Sequence, residues 1–149
     1  MTRIKRTNSD DPDFQKLTNA LDIELCRIYN TQQADYEEFN RITDLPTVVL
    51  AYEDDIPVGC GCFKKYDDTT IEIKRMYVEP SFRGKGIASG IVNELETWAL
   101  ELKNSFAVLE TGKKQPEAVA MYQKLGYLLT ERYGQYSDWD NSICMRKQL

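Results

Sequence analysis

The chain has 149 residues, of which 42% are hydrophobic and 29% charged, with a formal net charge of −5 at pH 7. This length and composition predict one globular domain, residues 1–149, that can bury a sizeable core. The two signs of charge are interspersed and form no basic stripe, which argues against a nucleic-acid partner. No apolar run approaches the roughly 20 residues of a membrane span, and the first residues form no apolar leader. We therefore expect a cytoplasmic protein without a membrane partner.

Histidine is absent, and the four cysteines Cys26, Cys60, Cys62 and Cys144 form no C-x-x-C pair. Catalysis by Ser-His-Asp or Cys-His sets and histidine-ligated zinc all need an imidazole, so these classes are excluded. We predict no metal site and expect reduced cysteines in strands or the core. Acid-base chemistry must then use carboxylates, tyrosine, lysine, cysteine or water.

The N-terminal part of the chain predicts a strand, two helices and a hairpin. Arg3 to Arg6 is a short strand, and a cap-type sequence ending at Pro12 opens an amphipathic helix with apolar residues every three or four positions. A more polar helix is predicted from Ala34 to Ile42. The two strands of the hairpin follow, Thr47 to Tyr52 and Ile56 to Lys65.

In the next strand, Thr69 to Val78, the apolar side chains change from odd-numbered to even-numbered positions. Ile71 and Ile73 share one parity, whereas Met76 and Val78 share the other. A β-bulge between the two pairs would bring them to one face, and bulges are frequent beside active sites. A central strand buried on both faces explains the same pattern.

The C-terminal part predicts a strand-helix-strand crossover followed by a shorter helix and two strands. A long helix runs from Ile87 to about Lys103, and the apolar run Phe106 to Glu110 is typical of a buried parallel strand. Pro116 opens the shorter helix. The final strands are predicted at about Tyr127 to Tyr133 and Ser142 to Lys147.

The segment SFRGKGIAS, Ser81 to Ser89, has the composition of a phosphate-binding loop. A Walker loop is excluded, because neither Gly-Lys pair has the required upstream glycine. A dinucleotide loop fits poorly, since EPSFR separates the strand from the first glycine and the last glycine is replaced by serine. Read as Arg83-x-x-Gly86-x-Ala88, the segment can direct successive backbone amides at a pyrophosphate on the N-terminus of the long helix.

Two segments of the chain resemble a known family. The segment IEIKRMYVEPSFRGKGIASGIVNELETWAL resembles the core of the GCN5-related N-acetyltransferases (GNAT family), whose signature [QR]-x-x-G-x-[GA] follows a bulged fourth strand. LETGKKQPEAVAMYQKLGY resembles the next segment of that family, and together the two cover about Ile71 to Tyr133. The resemblance implies a mixed α/β (α+β) single domain. Its central, mostly antiparallel sheet would have about seven strands with one parallel strand-helix-strand unit, and about four helices would cover it.

The resemblance also implies the reaction. Acetyl-CoA would be the cosubstrate, without a metal, and its acetyl group would pass to a primary amine of a small molecule, such as an amino acid, by direct attack in a ternary complex. Two alternatives stay open: a protein or peptide N-acetyltransferase, and a degenerate module that binds acetyl-CoA without turnover. A homodimer is also compatible with the resemblance.

The family positions map onto particular residues. Tyr122 would be the general acid and Glu72 the general base, with Glu110 in reserve; a core tyrosine and a strand glutamate paired with Lys74 are the structural alternatives. The backbone N–H of Val78 would stabilise the oxyanion. Gln115 stands where many relatives have asparagine. The predicted cofactor-binding residues are Met76, Tyr77, Val78, Arg83, Gly84, Lys85, Gly86, Ile87, Ala88, Ser89 and Gln115.

The acceptor is indicated only by a cluster near the C-terminus. Tyr133, Tyr136 and Trp139 lie close in sequence to Asp138 and Asp140. Aromatic rings with carboxylates suit a cationic or aromatic amine, whereas a hydrophobic cap on the sheet explains the aromatic residues equally well.

Overall fold

The computed structural model describes residues 2–30, 44–137 and 141–149, with only the backbone of Gln135. Within these ranges there are three α-helices, and none is long and apolar enough to span a membrane. The predicted helix at Ala34 to Ile42 lies outside the described residues. The strands are β1 (Thr2–Thr7), β2 (Val48–Glu53), β3 (Ile56–Lys65), β4 (Thr70–Val78), β5 (Phe106–Gly112), β6 (Leu128–Thr130) and β7 (Ser142–Gln148), and the helices are α1 (Pro12–Tyr29), α2 (Ile87–Glu101) and α3 (Pro116–Lys124).

The seven strands form one sheet in the order β1-β2-β3-β4-β5-β7-β6. The pairs β1–β2, β2–β3, β5–β7 and β6–β7 are antiparallel, whereas β4 and β5 are parallel and are connected through α2. This confirms the mixed, mostly antiparallel sheet with one parallel crossover that the sequence predicts.

Two compact units make up the chain. The first comprises Met1–Phe63 and Arg75–Leu95, and the second comprises Lys64–Lys74 and Glu96–Leu149. A single domain over residues 1–149 stays a prediction. The elements β3, β4 and α2 each contribute residues to both units.

In the first unit, helix α1 is capped at both ends. The Asp11 side chain accepts a hydrogen bond from the backbone N–H of Asp13 at 2.9 Å, and Asn30 ends the helix in the left-handed conformation at φ 52°. The apolar stripe then lies in the core, where burial of each large side chain stabilises the fold by about 1.5–3 kcal/mol. The core side chains of this unit are Phe14, Leu17, Leu21, Val48, Leu50, Tyr52, Cys60, Cys62 and Tyr77.

Strand β4 contains a local distortion at the place where the parity changes. Arg75 has a left-handed backbone, φ 60°, between the Ile73 and Met76 positions, which agrees with the predicted bulge. Its guanidinium is buried and donates to the Thr18 carbonyl oxygen at 2.8 Å and to Asp22 Oδ1 at 2.7 Å. Every β4 residue except Met76 is buried, so the strand is also covered on both faces.

Two glycines of β3 allow α2 to approach the sheet closely. A Cβ atom at Gly59 would lie 3.0 Å from Ile91 Cδ1, and one at Gly61 would lie 3.0 Å from Ile91 Cγ2 and 3.2 Å from Leu95 Cδ1. A larger residue at either position would meet α2, which explains why β3 has glycine there.

The second unit contains the parallel pair and the C-terminal strands. β4 and β5 pair from Thr70 with Phe106 to Ile73 with Leu109, and both strands continue beyond these paired residues. The prediction that β6 runs from Tyr127 to Tyr133 was wrong, because it covers only Leu128–Thr130. Tyr127 turns inward and donates to Glu96 at 2.9 Å, and a 3₁₀ turn begins at Gly134. These features shorten the strand at both ends.

Candidate functional site

The predicted phosphate loop lies between β4 and α2 in the first unit. Gly84 and Gly86 have left-handed backbones, φ 78° and 81°, which glycine adopts without strain. The carbonyl oxygen of Gly86 accepts the first helical hydrogen bond from the Gly90 N–H at 3.0 Å. Cβ atoms added at these three glycines would meet no described atom within 4 Å. The loop therefore faces open space that a large anion can enter.

The start of α2 supplies hydrogen-bond donors beside this space. The N–H groups of Ile87, Ala88 and Ser89 precede that of Gly90 and have no acceptor within the helix. The helix dipole adds partial positive charge at the same end, so the loop and first turn favour a phosphate group.

The two basic side chains of the loop have different environments. Arg83 Nε donates to the Val78 carbonyl oxygen at 2.8 Å, and its Nη2 donates to both carboxylate oxygens of Glu24 at 2.8 and 3.0 Å. Lys85 is exposed, with Nζ 5.2 Å from the centre of the Phe82 ring. Arg83 therefore ties the loop to its own unit through Val78 and Glu24, and the Lys85 ammonium adds a second exposed positive charge.

Several polar side chains of the second unit cluster around Glu72 on β4. This residue is buried, and its Oε2 atom accepts a hydrogen bond from the Tyr133 hydroxyl at 2.7 Å. Lys64 Nζ lies 3.8 Å from the other carboxylate oxygen, Oε1. The proximity of Tyr133 to Glu72 brings together a predicted catalytic residue and a predicted acceptor-site residue.

Lys74 follows Glu72 by two positions on the same face of β4. Its buried ammonium donates to the Tyr136 hydroxyl at 3.1 Å. The rings of Tyr66 and Tyr133 form an edge contact with centroids 5.2 Å apart, and those of Tyr133 and Tyr136 form another at 5.3 Å. The other predicted acceptor residues, Asp138, Trp139 and Asp140, lie outside the described residues.

Glu110 lies on β5 immediately after the last residue that pairs with β4. Its Oε2 atom accepts a hydrogen bond from Ser142 Oγ at 2.7 Å. Burial raises the pKa of this carboxyl above its usual value, and the negative charge of Glu72 adds to the effect, whereas Ser142 and Lys74 oppose it. A carboxylate with a raised pKa is a stronger base near neutral pH, as a general base requires.

Tyr122 is a buried phenol of the second unit, on α3. It is 5% exposed, burial raises its pKa, and its ring contacts that of Tyr127 edge-on at 5.7 Å. Within the described part of the chain, its hydroxyl group has no hydrogen-bond partner. The neighbouring Tyr127 differs, because its hydroxyl donates to Glu96. A buried donor without a partner costs stability, and such groups are frequent where a ligand completes the site.

Gln115 is turned toward its own loop. Its Oε1 atom accepts a hydrogen bond from the Gly112 N–H at 3.3 Å.

The sequence did not predict Lys64, Tyr66 and Ser142 as residues of this site. Ser142 reaches Glu110 from β7, where it pairs with Gly112, and this pairing cannot be read from local patterns.

Glu110 also permits a test of the raised pKa. The folded protein binds this proton more tightly than the unfolded chain does, so the stabilising contribution is complete below the unfolded pKa of about 4.3. It is lost as the pH rises through the raised folded pKa. Glu110→Gln cannot ionise and still accepts from Ser142, so its thermal unfolding midpoint should exceed that of the unmodified protein near neutral pH, and the difference should shrink at about pH 4.

The matched control for this test is the exposed Glu131, as Glu131→Gln. Its unfolding midpoint should follow that of the unmodified protein at both pH values. A Glu110→Gln variant whose midpoint difference is the same at both pH values would show that the carboxyl charge is not the cause.

All four cysteines are free thiols, as expected, and three are buried. Among the described residues, no group of three or more cysteine, aspartate or glutamate side chains could hold a metal ion.

Comparison with known proteins shows the family of this chain. Residues 14–127 match the model of the acetyltransferase (GNAT) family. An IAA acetyltransferase of Azospirillum brasilense is 31% identical over 120 residues, which are 75% of this chain and 78% of that protein. The human N-acetylaspartate synthetase is 30% identical over 103 residues, which are 68% of this chain and 34% of that protein.

Among solved structures, a candidate acyl-CoA N-acyltransferase from Klebsiella pneumoniae has a TM-score of 0.83 at 26% sequence identity. The match covers 100% of this chain and 98% of that one. The family match shows the donor and the reaction class. The chain belongs to the acetyltransferase (GNAT) family and is an acetyl-CoA-dependent N-acetyltransferase.

Proposed function

We propose that the protein transfers the acetyl group of acetyl-CoA to the primary amine of a small molecule, such as an amino acid. The amine would attack the thioester directly in a ternary complex. The observation that carries the proposal is the buried Tyr122 hydroxyl, which has no partner within the described part of the chain and is available to a departing thiolate. The name of one relative, N-acetylaspartate synthetase, favours a small acceptor with a carboxylate.

The donor would be held by the first unit. Backbone amides from Gly84 to Ser89 would bind the pyrophosphate of coenzyme A, and the exposed Lys85 would add positive charge. The backbone of Met76 and Val78 would pair with the pantetheine arm, with the Val78 N–H directed at the thioester oxygen. Removal of one such oxyanion donor typically costs about 2.7–4 kcal/mol of transition-state stabilisation.

Tyr122 would be the general acid. An unperturbed phenol has a pKa of about 10, and burial raises that of Tyr122 further, so its proton is present throughout the physiological range. A departing thiolate in the same apolar surroundings is poorly solvated, and it would take a hydrogen bond and then the proton from this hydroxyl.

The base would be Glu72, with Glu110 as the second candidate. Glu72 is supported by its position in the family motif and by the Tyr133 hydroxyl, which fixes its Oε2 atom. Glu110 is supported by its raised pKa. Substitution of the true base should lower kcat by about 100-fold or more, whereas Gln at the other position should have a much smaller effect. Rates of Glu72→Gln and Glu110→Gln therefore discriminate between them.

The release of the coenzyme A thiol from acetyl-CoA tests the function across a panel of amino acids, polyamines, aromatic amines and peptides. We expect saturable release with a free amino acid or related small amine, and loss of this release in Tyr122→Phe. Release with peptides only would indicate a protein or peptide acetyltransferase. Tight acetyl-CoA binding without release for any amine would indicate a binding module. A cytoplasmic location and a homodimer stay predictions.

A further inference from the structure

We propose that Lys64 is a self-acetylation site of this protein. The inference rests on the function proposed above, since it treats Glu72 as the carboxylate beside which an acceptor amine reacts. Lys64 Nζ lies 3.8 Å from Glu72 Oε1, so a primary ammonium already lies next to the proposed base.

The contact between the Lys64 ammonium and the Glu72 carboxylate is loose. A distance of 3.8 Å exceeds that of a hydrogen bond, so charge alone holds the Lys64 ammonium near the carboxylate. The Lys64 side chain is 40% exposed, whereas that of Glu72 is 3% exposed. A half-exposed amine on a flexible stem can move, while the carboxylate stays fixed by its hydrogen bond from Tyr133. A mobile amine beside a fixed carboxylate is the arrangement that an acceptor and its base need.

Two other lysines of the second unit lack this arrangement. Lys65 Nζ donates to the Asp68 carbonyl oxygen at 2.9 Å and to Asn104 Oδ1 at 3.0 Å, both of which are neutral amide oxygens. Lys74 Nζ is buried and donates to the Tyr136 hydroxyl. Lys64 therefore combines an exposed side chain with a carboxylate neighbour, and Lys65 is a matched control at the next position.

The chemical step uses only the donor of the enzyme's own reaction. Glu72 accepts a proton from the Lys64 ammonium, and the neutral amine forms an N–C bond to the acetyl carbonyl carbon. The C–S bond breaks, the thiolate leaves with the electron pair and takes a proton from Tyr122, and the second amine proton passes to water as the amide forms. The products are N-acetyl-Lys64 and the free coenzyme A thiol, so no further reactant is required.

Acetylation would change the acceptor side of the site. The modified side chain is neutral, so the ion pair with Glu72 is lost while the hydrogen bond from Tyr133 remains. In the unmodified protein, the Lys64 ammonium competes with an acceptor ammonium for the same carboxylate. Modification removes this competitor, and the KM for the amine should fall.

The experiment incubates the full chain with acetyl-CoA in the absence of any amine, followed by peptide mapping by mass spectrometry. We expect one acetyl group on Lys64, its loss in Lys64→Arg and its retention in Lys65→Arg. Labelling should be slower in Tyr122→Phe, whereas uncatalysed acetylation by acetyl-CoA would not depend on Tyr122. A labelling rate per molecule that is independent of protein concentration would indicate transfer within one chain.

The outcomes separate this inference from the proposed function. Amine-dependent release of the thiol without acetylation of Lys64 would overturn the inference and leave the proposed function intact. Equal labelling of Lys64 and Lys65, unaffected by Tyr122→Phe, would also overturn it, since that pattern is uncatalysed chemistry. Absence of both amine-dependent release and Lys64 labelling would overturn the inference and the proposed function together.

Discussion

Substitution of Tyr122 by phenylalanine is expected to lower kcat by about 100-fold or more while leaving the fold intact, because the hydroxyl would act only on the departing thiolate. A buried hydroxyl without a partner costs about 1–3 kcal/mol, so its removal should leave the free energy of unfolding unchanged or raise it. The KM for the amine should change little. Steady-state rates of thiol release, together with urea unfolding, measure both quantities on the same preparation.

The neighbouring Tyr127 provides the control. It is buried, contacts the Tyr122 ring edge-on and donates its hydroxyl to Glu96 at 2.9 Å. Tyr127→Phe removes that donor from a buried carboxylate and should lower the free energy of unfolding by about 1–3 kcal/mol, with little change in kcat. Opposite effects in the two variants would separate a catalytic hydroxyl from a structural one. Unchanged turnover in Tyr122→Phe would exclude the acid role.

The elements that positioned the donor loop could be predicted because their signals are local. The boundaries of β3 were predicted correctly at both ends, and α2 was predicted to begin at Ile87, where it begins. The change of parity along β4 and the Gly84-Lys85-Gly86 sequence each lie within a few residues, so a distortion near Arg75 and the position of the loop before α2 could be predicted. Each of these features depends on backbone geometry within a few positions.

The polar group of the second unit could be predicted only in part. Alternation along β4 gives Glu72 and Lys74 the same face, and this was available from the sequence. The partners of both residues come from distant segments, Tyr133 and Tyr136, and their hydrogen bonds depend on how the chain returns to the sheet. The raised pKa of Glu110 likewise follows from burial, which a strand pattern does not measure.

Substitution of Arg75 is expected to lower the stability of the fold strongly. Its guanidinium, in a side chain only 4% exposed, joins β4 to α1 through Asp22 at 2.7 Å and the Thr18 carbonyl oxygen at 2.8 Å. Removal of one partner from a buried ion pair costs about 3–5 kcal/mol, and the 22% exposure of the Asp22 side chain puts the loss at the lower end. Arg75→Ala should therefore lower the free energy of unfolding by about 3 kcal/mol.

The comparison of Arg75→Gly with Arg75→Ala isolates the contribution of the left-handed backbone at this position to the free energy of unfolding. Both variants lose the ion pair, but glycine adopts φ 60° freely, whereas a left-handed backbone costs alanine about 1–2 kcal/mol. Arg75→Gly should therefore be the more stable of the two in urea unfolding. At Met76, which has no left-handed φ, the usual preference in a strand should hold and Met76→Ala should be more stable than Met76→Gly. The same order at both positions would mean that the left-handed residue of β4 stores no strain, and the ion pair alone would then hold the bulge in place.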